Sequence, residues 1–282
     1  MNNPYYIVAP DYNRLSSGVM ILHNLCHLLN EAGEMAFIAT SRKVHPDLFT
    51  PPASQSVINK QKEEGLEPIV VYPESYIAGN PLGGKHVVRY LLNYPGALGG
   101  DKVYEKTDMI WSYSRELLVD QDTKYQENIL DIPVIPTNIF YPPMGIPHRS
   151  GICFYAEKYR RWSNDVHHER SQNCTEIYGA SCGRLAQSKE QVAEIFRRSE
   201  MFYCYESSAL IDEATLCGCP VTLMRTPHFK EVIGGVIPGA EWNYSGKNPW
   251  STLNGAKMHY GIRMRNVFLQ LNKFIEATQN WS

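Results

Sequence analysis

The sequence predicts an α/β protein of two domains, each built around a parallel sheet. Short apolar runs alternate with helical stretches along the 282 residues, and this alternation is the pattern of βαβ units. It is interrupted at residues 140–147, FYPPMGIP, by a connector with three prolines and a glycine, which is too stiff for a sheet interior. We therefore predict an N-terminal domain over residues 1–143 and a C-terminal domain over residues 144–282.

The first domain opens with a strand, a loop, a helix and a second strand. The strand covers residues 5–9, the helix runs from Gly18 to Gly33, and residues 35–39 form the second strand. The apolar residues of the helix have the spacing of one buried face: Val19, Leu22, Leu25, Cys26 and Leu29. The other elements predicted here are a strand over 69–72, a helix over 85–92, and strands over 108–113 and 132–135.

The second domain repeats the alternation. Ser188 and Gln191 form a capping box that predicts a helix start. The predicted elements are strands over 152–155, 175–178, 201–205 and 220–223, and helices over 188–199 and 209–217. In the tail 258–278, Val267, Phe268, Leu271 and Ile275 share one helical face, which we expect to pack back on the first domain. Two such domains imply a cleft between strand ends, where open α/β sheets bind ligands.

Composition excludes several classes of protein. The 27 basic and 29 acidic residues give a net charge of −2, which argues against a protein held to nucleic acid by bulk charge. The seven cysteines are odd in number and contain no Cys-x-x-Cys pair, so we expect reduced thiols. No apolar run is long enough for a membrane span, and the first residues do not form a signal peptide. A cytoplasmic protein is expected.

The most informative segment is 205–221, YESSALIDEATLCGCPV. It is predicted to contain a strand end, a polar turn, a helix, and a Gly-x-Pro turn into the next strand. Glu206 lies on the turn and Glu213 in the helix, so one carboxylate can accept bonds from sugar hydroxyls and the other from a ribose. The amides of Ser208, Ala209 and Leu210 open the helix and can hold a diphosphate or sugar.

The stretch 213–221, EATLCGCPV, resembles part of the two-glutamate motif of retaining glycosyltransferases with the GT-B fold. Six residues separate Glu206 from Glu213, where the family has seven. The resemblance implies two Rossmann-like domains that face each other across a cleft. It also implies that Glu213 binds the donor ribose and that Glu206 binds hydroxyls of the donor sugar at the catalytic centre.

Two segments of the first domain resemble the same family. Ser17 and Gly18 follow the first strand, like the glycine loop that lets the backbone approach the diphosphate. The stretch from Asn80 through residues 87–92 and 95–96 is similar to enzymes of bacterial polysaccharide assembly. Glu74, Asn80 and His86 are therefore candidates on the acceptor side, near the cleft end of a first-domain strand.

Three cations follow the first strand of the second domain, where the family places a basic pair. They are Lys158, Arg160 and Arg161. Loss of a diphosphate builds charge on its oxygens, which a cation at this place stabilises. Lys158 is the first choice for this catalytic role, and Arg160 or Arg161 is the second cation for donor binding.

No metal site or cofactor is expected. Asp120 and Asp122 spell the Asp-x-Asp of GT-A glycosyltransferases, but Lys124 follows and the segment does not end a strand, so a solvated loop is predicted. His23 and His27 have a spacing that could hold zinc, yet no further ligands cluster with them. The resemblance also implies a metal-independent reaction.

These observations predict a glycosyltransferase that moves a sugar, with retention, from a nucleotide-diphosphate donor of UDP or GDP type to a saccharide or lipid-linked glycan. Nucleic acid is not an expected partner, and peripheral membrane contact is left open. Two alternatives are kept. One is an inverting transferase or epimerase, in which Glu74 or His86 would serve as a base. The other is a non-catalytic subunit that binds a nucleotide-sugar.

Overall fold

The computed structural model describes residues 2–145, 148–163, 169–179, 185–227, 229–242 and 249–281. The described chain divides into two compact units. Unit 1 contains Met1–Val134 and Arg263–Ser282, and unit 2 contains Ile135–Ile262. Ile146 and Pro147 of the predicted connector lie outside the described residues.

Unit 1 contains one five-stranded parallel sheet. Its elements are β1 (Tyr5–Val8), α1 (Ser17–Glu31), β2 (Ala36–Ala39), α2 (Gln55–Glu63), β3 (Ile69–Pro73), β4 (His86–Leu91) and β5 (Met109–Ser112). The strand order is β2-β1-β3-β4-β5, and all four pairings are parallel. The chain passes from β1 to β2 on one side of β1, and then to β3 on the other side. The carboxyl ends of β1 and β3 therefore flank a topological switch point.

The predicted helix over 85–92 is wrong, because these residues form the strand β4. Val87, Val88 and Tyr90 are buried there, and β-branched and aromatic residues favour a strand when both faces are covered. Residues 74–85 therefore provide the connection between β3 and β4. Asn80 organises this loop, since its Oδ1 accepts bonds from the Tyr72 hydroxyl and the Gly84 amide at 3.0 and 3.2 Å.

The C-terminal helix, α6 (Pro249–Gln279), is longer than predicted. From Arg263 onward it belongs to unit 1, where Val267, Leu271 and Phe274 enter the same core as α1 and the sheet. Arg263 binds Asp131 with two bonds of 2.6 and 2.9 Å. Phe268, predicted on the packed face, is instead 59 % exposed.

Unit 2 also contains a five-stranded parallel sheet. Its elements are β6 (Ile152–Tyr155), α3 (Glu157–Trp162), β7 (Thr175–Glu176), α4 (Lys189–Arg198), β8 (Met201–Cys204), α5 (Leu210–Leu216), β9 (Val221–Leu223) and β10 (Ala240–Trp242). The strand order is β10-β9-β8-β6-β7, with parallel pairs throughout. The capping box of Ser188 and Gln191 is confirmed at the start of α4.

The predicted fold class is confirmed: the chain is α/β, with two Rossmann-like domains. The arrangement of these domains across a cleft stays a prediction. Residues 132–135 form no strand, and three short elements were not predicted: α2, α3 and β10. Short elements such as α2 and β10 depend on tertiary packing, which local patterns do not contain.

Candidate functional site

The candidate site lies at the switch point of the unit 2 sheet. The strand β6 pairs with β7 on one side and β8 on the other, so the carboxyl ends of β6 and β8 are neighbours. Tyr155 and Cys204 are register partners, and the residues just beyond them include Lys158 and Glu206. Open α/β sheets bind ligands at this type of position.

Glu206 is the centre of the site. It is only 2 % exposed, and its Oε2 accepts the backbone N–H of Lys158 at 2.5 Å. The Tyr159 amide also donates to this carboxylate. Since these amides open α3, the Glu206 carboxylate satisfies donors that begin the helix. Its Oε1 is buried without a hydrogen-bond partner among the described residues.

Lys158 lies beside this carboxylate. Its ammonium is 3.9 Å from Glu206 Oε1 and 3.4 Å from the carbonyl oxygen of Ser207, to which it donates. The Lys158 side chain is 32 % exposed. The ammonium is therefore positioned by the protein, and the side chain that carries it is partly exposed to solvent.

The structure adds Tyr155 and Glu157, which the sequence analysis did not select. The Tyr155 hydroxyl donates to Glu157 Oε2 at 2.7 Å, and Glu157 Oε1 is buried without a hydrogen-bond partner in the described part of the chain. The position of Glu157 just after a predicted strand could have revealed it.

Burial governs the ionisation of this cluster. It raises the pKa of Glu206, and the nearby Lys158 ammonium and the amides of Lys158 and Tyr159 partly offset the effect. Burial, together with the charges of Glu206 and Glu157, also raises the pKa of Tyr155 well above its ordinary value. The site thus keeps Tyr155 as a neutral donor, and it disfavours the charged form of Glu206 relative to a carboxyl in water.

This shift predicts how Glu206→Gln changes the pH dependence of stability. A carboxyl whose pKa is higher in the folded state than in the unfolded chain stabilises the fold at pH values below its ordinary pKa of 4.5. This contribution is lost as pH rises through the folded-state pKa. Glutamine does not titrate. As pH increases from the ordinary pKa through the folded-state pKa, we therefore expect the unfolding free energy of the variant to rise relative to that of wild type. Urea denaturation at several pH values measures this difference.

Glu241→Gln is the matched control, because Glu241 is an exposed carboxylate of the same unit. It should show no comparable pH-dependent difference. A Glu206→Gln curve that stays parallel to wild type from pH 4 to pH 8 would contradict the raised pKa.

Glu213 does not join this cluster through any contact of the described residues. It lies in α5, is 1 % exposed, and forms a buried ion pair with Lys189, the first residue of α4. Burial raises the pKa of Glu213, and the Lys189 ammonium opposes this effect. Glu213 Oε2 has no hydrogen-bond partner among the described residues. Its role in ribose binding stays a prediction.

The amides predicted to hold a diphosphate are only partly available. The Leu210 N–H donates to Ser208 Oγ at 3.3 Å, so this amide already has a partner within the protein. Like the side chain of a capping residue, the Ser208 hydroxyl accepts a bond from an amide at the helix start, and it therefore competes with a ligand for that amide. Ser208 and Ala209 lie in the turn before α5.

The two other cations differ from each other. Arg160 binds Glu176 at 2.7 Å, and both side chains are largely buried, so this guanidinium joins α3 to the end of β7. Arg161 is exposed. Of the pair, Arg161 is the better placed to meet a ligand from solvent.

In unit 1, Ser17 and Gly18 open α1. Ser16 caps this helix, since its side chain accepts the Val19 amide at 3.5 Å. A Cβ at Gly18 would meet Leu92 Cδ1 at 3.7 Å, which is an ordinary contact. Packing within the described chain therefore does not require glycine here, and its approach to a diphosphate stays a prediction.

The three acceptor-side candidates are not brought together. Glu74 follows β3 at the carboxyl edge, and its Oε2 accepts the Leu92 amide at 2.9 Å. Asn80 closes the 80–84 turn, where it also donates to the Gly84 carbonyl. His86 is the first residue of β4, so it lies at the amino edge of the parallel sheet. Its expected place at the cleft end was wrong, because the expected helix is a strand.

Neither known protein-family models nor curated proteins match this chain. Among solved structures it resembles the glycosyltransferase SnogD from Streptomyces nogalater at 9 % identity and a TM-score of 0.36, covering 96 % of this chain and 100 % of that one. It also resembles the dodecameric iron-containing heptosyltransferase TibC, in complex with ADP-D-beta-D-heptose. That likeness has 12 % identity and a TM-score of 0.32, covering 97 % and 77 % of the two chains. Scores this low do not bear on function.

Metal ligands do not cluster in the described residues, where no group of three or more His, Cys, Asp and Glu could hold an ion. His23 Nε2 lies 3.2 Å from the Pro10 carbonyl, and His27 Nδ1 accepts the Phe49 amide. Asp122 caps a local turn through the Lys124 amide.

Six cysteines in the described ranges form no disulfide, and Cys182 lies outside these ranges. No described helix is long and apolar enough to cross a membrane.

Proposed function

We propose that the protein is a retaining, metal-independent glycosyltransferase that uses a nucleotide-diphosphate sugar and a saccharide or glycan acceptor. One observation carries the proposal. Glu206 and Lys158, which leave different strands, meet at the switch point of the unit 2 sheet. A buried acceptor beside an accessible cation fits a ligand with both hydroxyl groups and phosphate charge.

Lys158 has the role of stabilising the leaving diphosphate. In the transfer, the bond between the anomeric carbon and the diphosphate oxygen breaks, and a bond from the acceptor hydroxyl oxygen forms on the same face. The hydroxyl proton passes to the leaving diphosphate. Negative charge grows on the diphosphate during this step, and the ammonium lowers its free energy. Arg161 is proposed as the second cation.

Glu206 has the role of holding the donor sugar. Its Oε2 is taken by the backbone of α3, while its Oε1 accepts no hydrogen bond in the described residues. A sugar hydroxyl donating to Oε1 would satisfy this buried oxygen. We propose that Glu213 binds the ribose, which requires that the ligand reach its Oε2.

A second candidate function is a nucleotide-sugar-binding subunit without turnover. It is favoured by the engagement of both glutamates within the protein: Glu206 caps α3 and Glu213 pairs with Lys189. Donor binding without transfer or donor hydrolysis would distinguish this function from the first.

The test is a thermal shift of the full chain with UDP, GDP, CMP, TDP and ADP, with and without magnesium. Ligand at about 100 times its Kd adds roughly 2.7 kcal/mol to the stability of the folded state. We expect a magnesium-independent shift with one diphosphate, and loss of that shift in Lys158→Ala but not in the control Arg198→Ala, since Arg198 is an exposed cation. The absence of a shift with every nucleotide would overturn the proposal.

A further inference from the structure

Glu157 is a second carboxylate at the switch point of unit 2, and it has no role in the proposed transfer. It lies two residues beyond β6, as Glu206 lies two residues beyond β8. The last residues of these strands, Tyr155 and Cys204, are register partners, so Glu157 and Glu206 occupy neighbouring places at the carboxyl edge of the sheet. The Glu206 carboxylate binds the amide of Lys158, the residue that follows Glu157. Burial raises the pKa of Glu206, and the nearby charge of Glu157 adds to this effect.

In each of these two carboxylates, the protein uses one oxygen and leaves the other without a partner. Glu206 Oε2 accepts the Lys158 amide, and Glu157 Oε2 accepts the Tyr155 hydroxyl at 2.7 Å. The Oε1 atoms of both glutamates are buried and have no hydrogen-bond partner among the described residues. A buried acceptor that is left unpaired costs free energy, and the cost is larger for a charged group. A ligand that donates two hydrogen bonds would remove this cost from both oxygens.

Gly179, which follows β7, allows the chain to pass close to Glu157. A Cβ on Gly179 would lie 3.1 Å from Glu157 Oε2 and 3.7 Å from its Oε1, and the first of these distances is shorter than an ordinary van der Waals contact. A side chain at this position would therefore crowd the carboxylate. The Tyr155 hydroxyl holds Glu157 from one strand, and the backbone at Gly179 approaches it from another. Glu157 is thus oriented by the protein before a ligand arrives, which lowers the entropy cost of binding.

We propose that Glu157 is a specificity-determining residue, whose Oε1 accepts one hydroxyl of the donor sugar while Glu206 Oε1 accepts another. The inference rests on the proposed function and adds a substrate class to it: a sugar that carries both hydroxyls, as opposed to a deoxy sugar that lacks either. Hydroxyl groups supply the donors that two carboxylate oxygens require. A site that binds a substrate hydroxyl through a buried polar group rejects the analogue without that hydroxyl, because the protein group is then left unpaired.

The experiment is isothermal titration calorimetry of the full chain without acceptor. The ligands are the nucleoside diphosphate that stabilises wild type, its hexose ester (UDP-glucose for UDP, GDP-mannose for GDP) and the monodeoxy analogues of that ester. We expect wild type to bind two of the analogues about tenfold or more weakly than the ester. Glu157→Ala should bind the ester about tenfold or more weakly than wild type does, and it should no longer distinguish the ester from one of these two analogues. Its affinity for the diphosphate alone should not fall.

Two further variants keep the test decisive. Glu157→Gln preserves the size of the side chain and one acceptor oxygen, so it should fold even where Glu157→Ala does not, and it should lose part of the selectivity. The matched control is Glu241→Gln, which changes an exposed carboxylate of the same unit and should bind every ligand as wild type does. Circular dichroism verifies that each variant is folded.

The failure of this inference differs from the failure of the proposed function. Wild-type selectivity in the Glu157 variants would overturn the inference alone, as would equal binding of the ester and all its monodeoxy analogues by wild type. An equal loss of affinity for the diphosphate and the ester would also overturn it, because Glu157 would then act on the fold or on the phosphates. A wild type that binds no nucleoside diphosphate would remove the proposed function, and this inference with it.

Discussion

Lys189→Met should lower the free energy of unfolding by about 3–5 kcal/mol at neutral pH, because it leaves the buried Glu213 carboxylate without its partner. Methionine fills a volume similar to that of the lysine stem but supplies no charge or donor. The carboxylate is desolvated in α5, where burial already raises its pKa. Urea denaturation followed by circular dichroism measures the loss. The loss should shrink at acidic pH, where Glu213 becomes protonated.

The matched control lies at the other end of the same helix. Arg198 pairs with Glu194 at the surface, with the arginine side chain 77 % exposed. Exposed pairs contribute about 0.2–1 kcal/mol, so Arg198→Met should cost far less than Lys189→Met. Equal losses for the two variants would contradict a special role for the buried pair.

The double variant Lys189→Met/Glu213→Leu separates stability from ligand binding. Replacing both members of a buried ion pair by apolar residues is often neutral, so most of the lost stability should return. If Glu213 binds ribose, the folded double variant should still lose its thermal shift with the diphosphate that stabilises wild type. A retained shift would show that Glu213 is a structural residue only.

Lys158→Ala should lower kcat for sugar transfer by about 100-fold or more, because removal of one donor that stabilises transition-state charge typically lowers kcat by a factor of about 10²–10³. Stability should change less than in Lys189→Met, because the Lys158 side chain is partly exposed and the backbone amide that binds Glu206 does not depend on it. The amide remains in the alanine variant. Transfer is measured with the sugar donor of whichever nucleotide gives the thermal shift.

Lys158→Arg is the conservative control and should recover part of the rate, because it keeps the positive charge. Arg160→Ala should act differently: its pair with Glu176 is largely buried, so this variant should lose stability. A Lys158→Ala enzyme with wild-type kcat would sink the assignment of Lys158 to the leaving diphosphate.

Local patterns were sufficient for several elements. The apolar runs around β1, β2, β3 and β8, and the capping box of α4, predicted those elements correctly to within a residue or two. Each contains its own signal: a run too short for a helix, or a polar cap before an amphipathic stretch. The alternation of these elements also predicted two parallel sheets, because parallel neighbours need crossover connections.

Residues whose environment is set by distant parts of the chain were predicted less well. The stretch 85–92 has a pattern compatible with a helix, but pairing with β3 and β5 makes most of it a strand. Phe268 has helical spacing with Val267 and Leu271, yet its side chain is 59 % exposed at the margin of the buried face of α6. A one-dimensional period does not say how far around the helix the covered face will extend.

The features of the candidate site also fall into two groups, those that the local sequence defines and those that depend on folding. Strand ends, the helix start after each, and the presence of Glu206, Glu213 and Lys158 near them are local features that the amino-acid order alone defines. Which carboxylate meets which cation depends on strand order, since β6 and β8 are adjacent although Lys158 and Glu206 are far apart in the chain. The pairing of Glu206 with the α3 amides and of Glu213 with Lys189 arises only on folding, because burial removes water and leaves each carboxylate to find a partner within the protein.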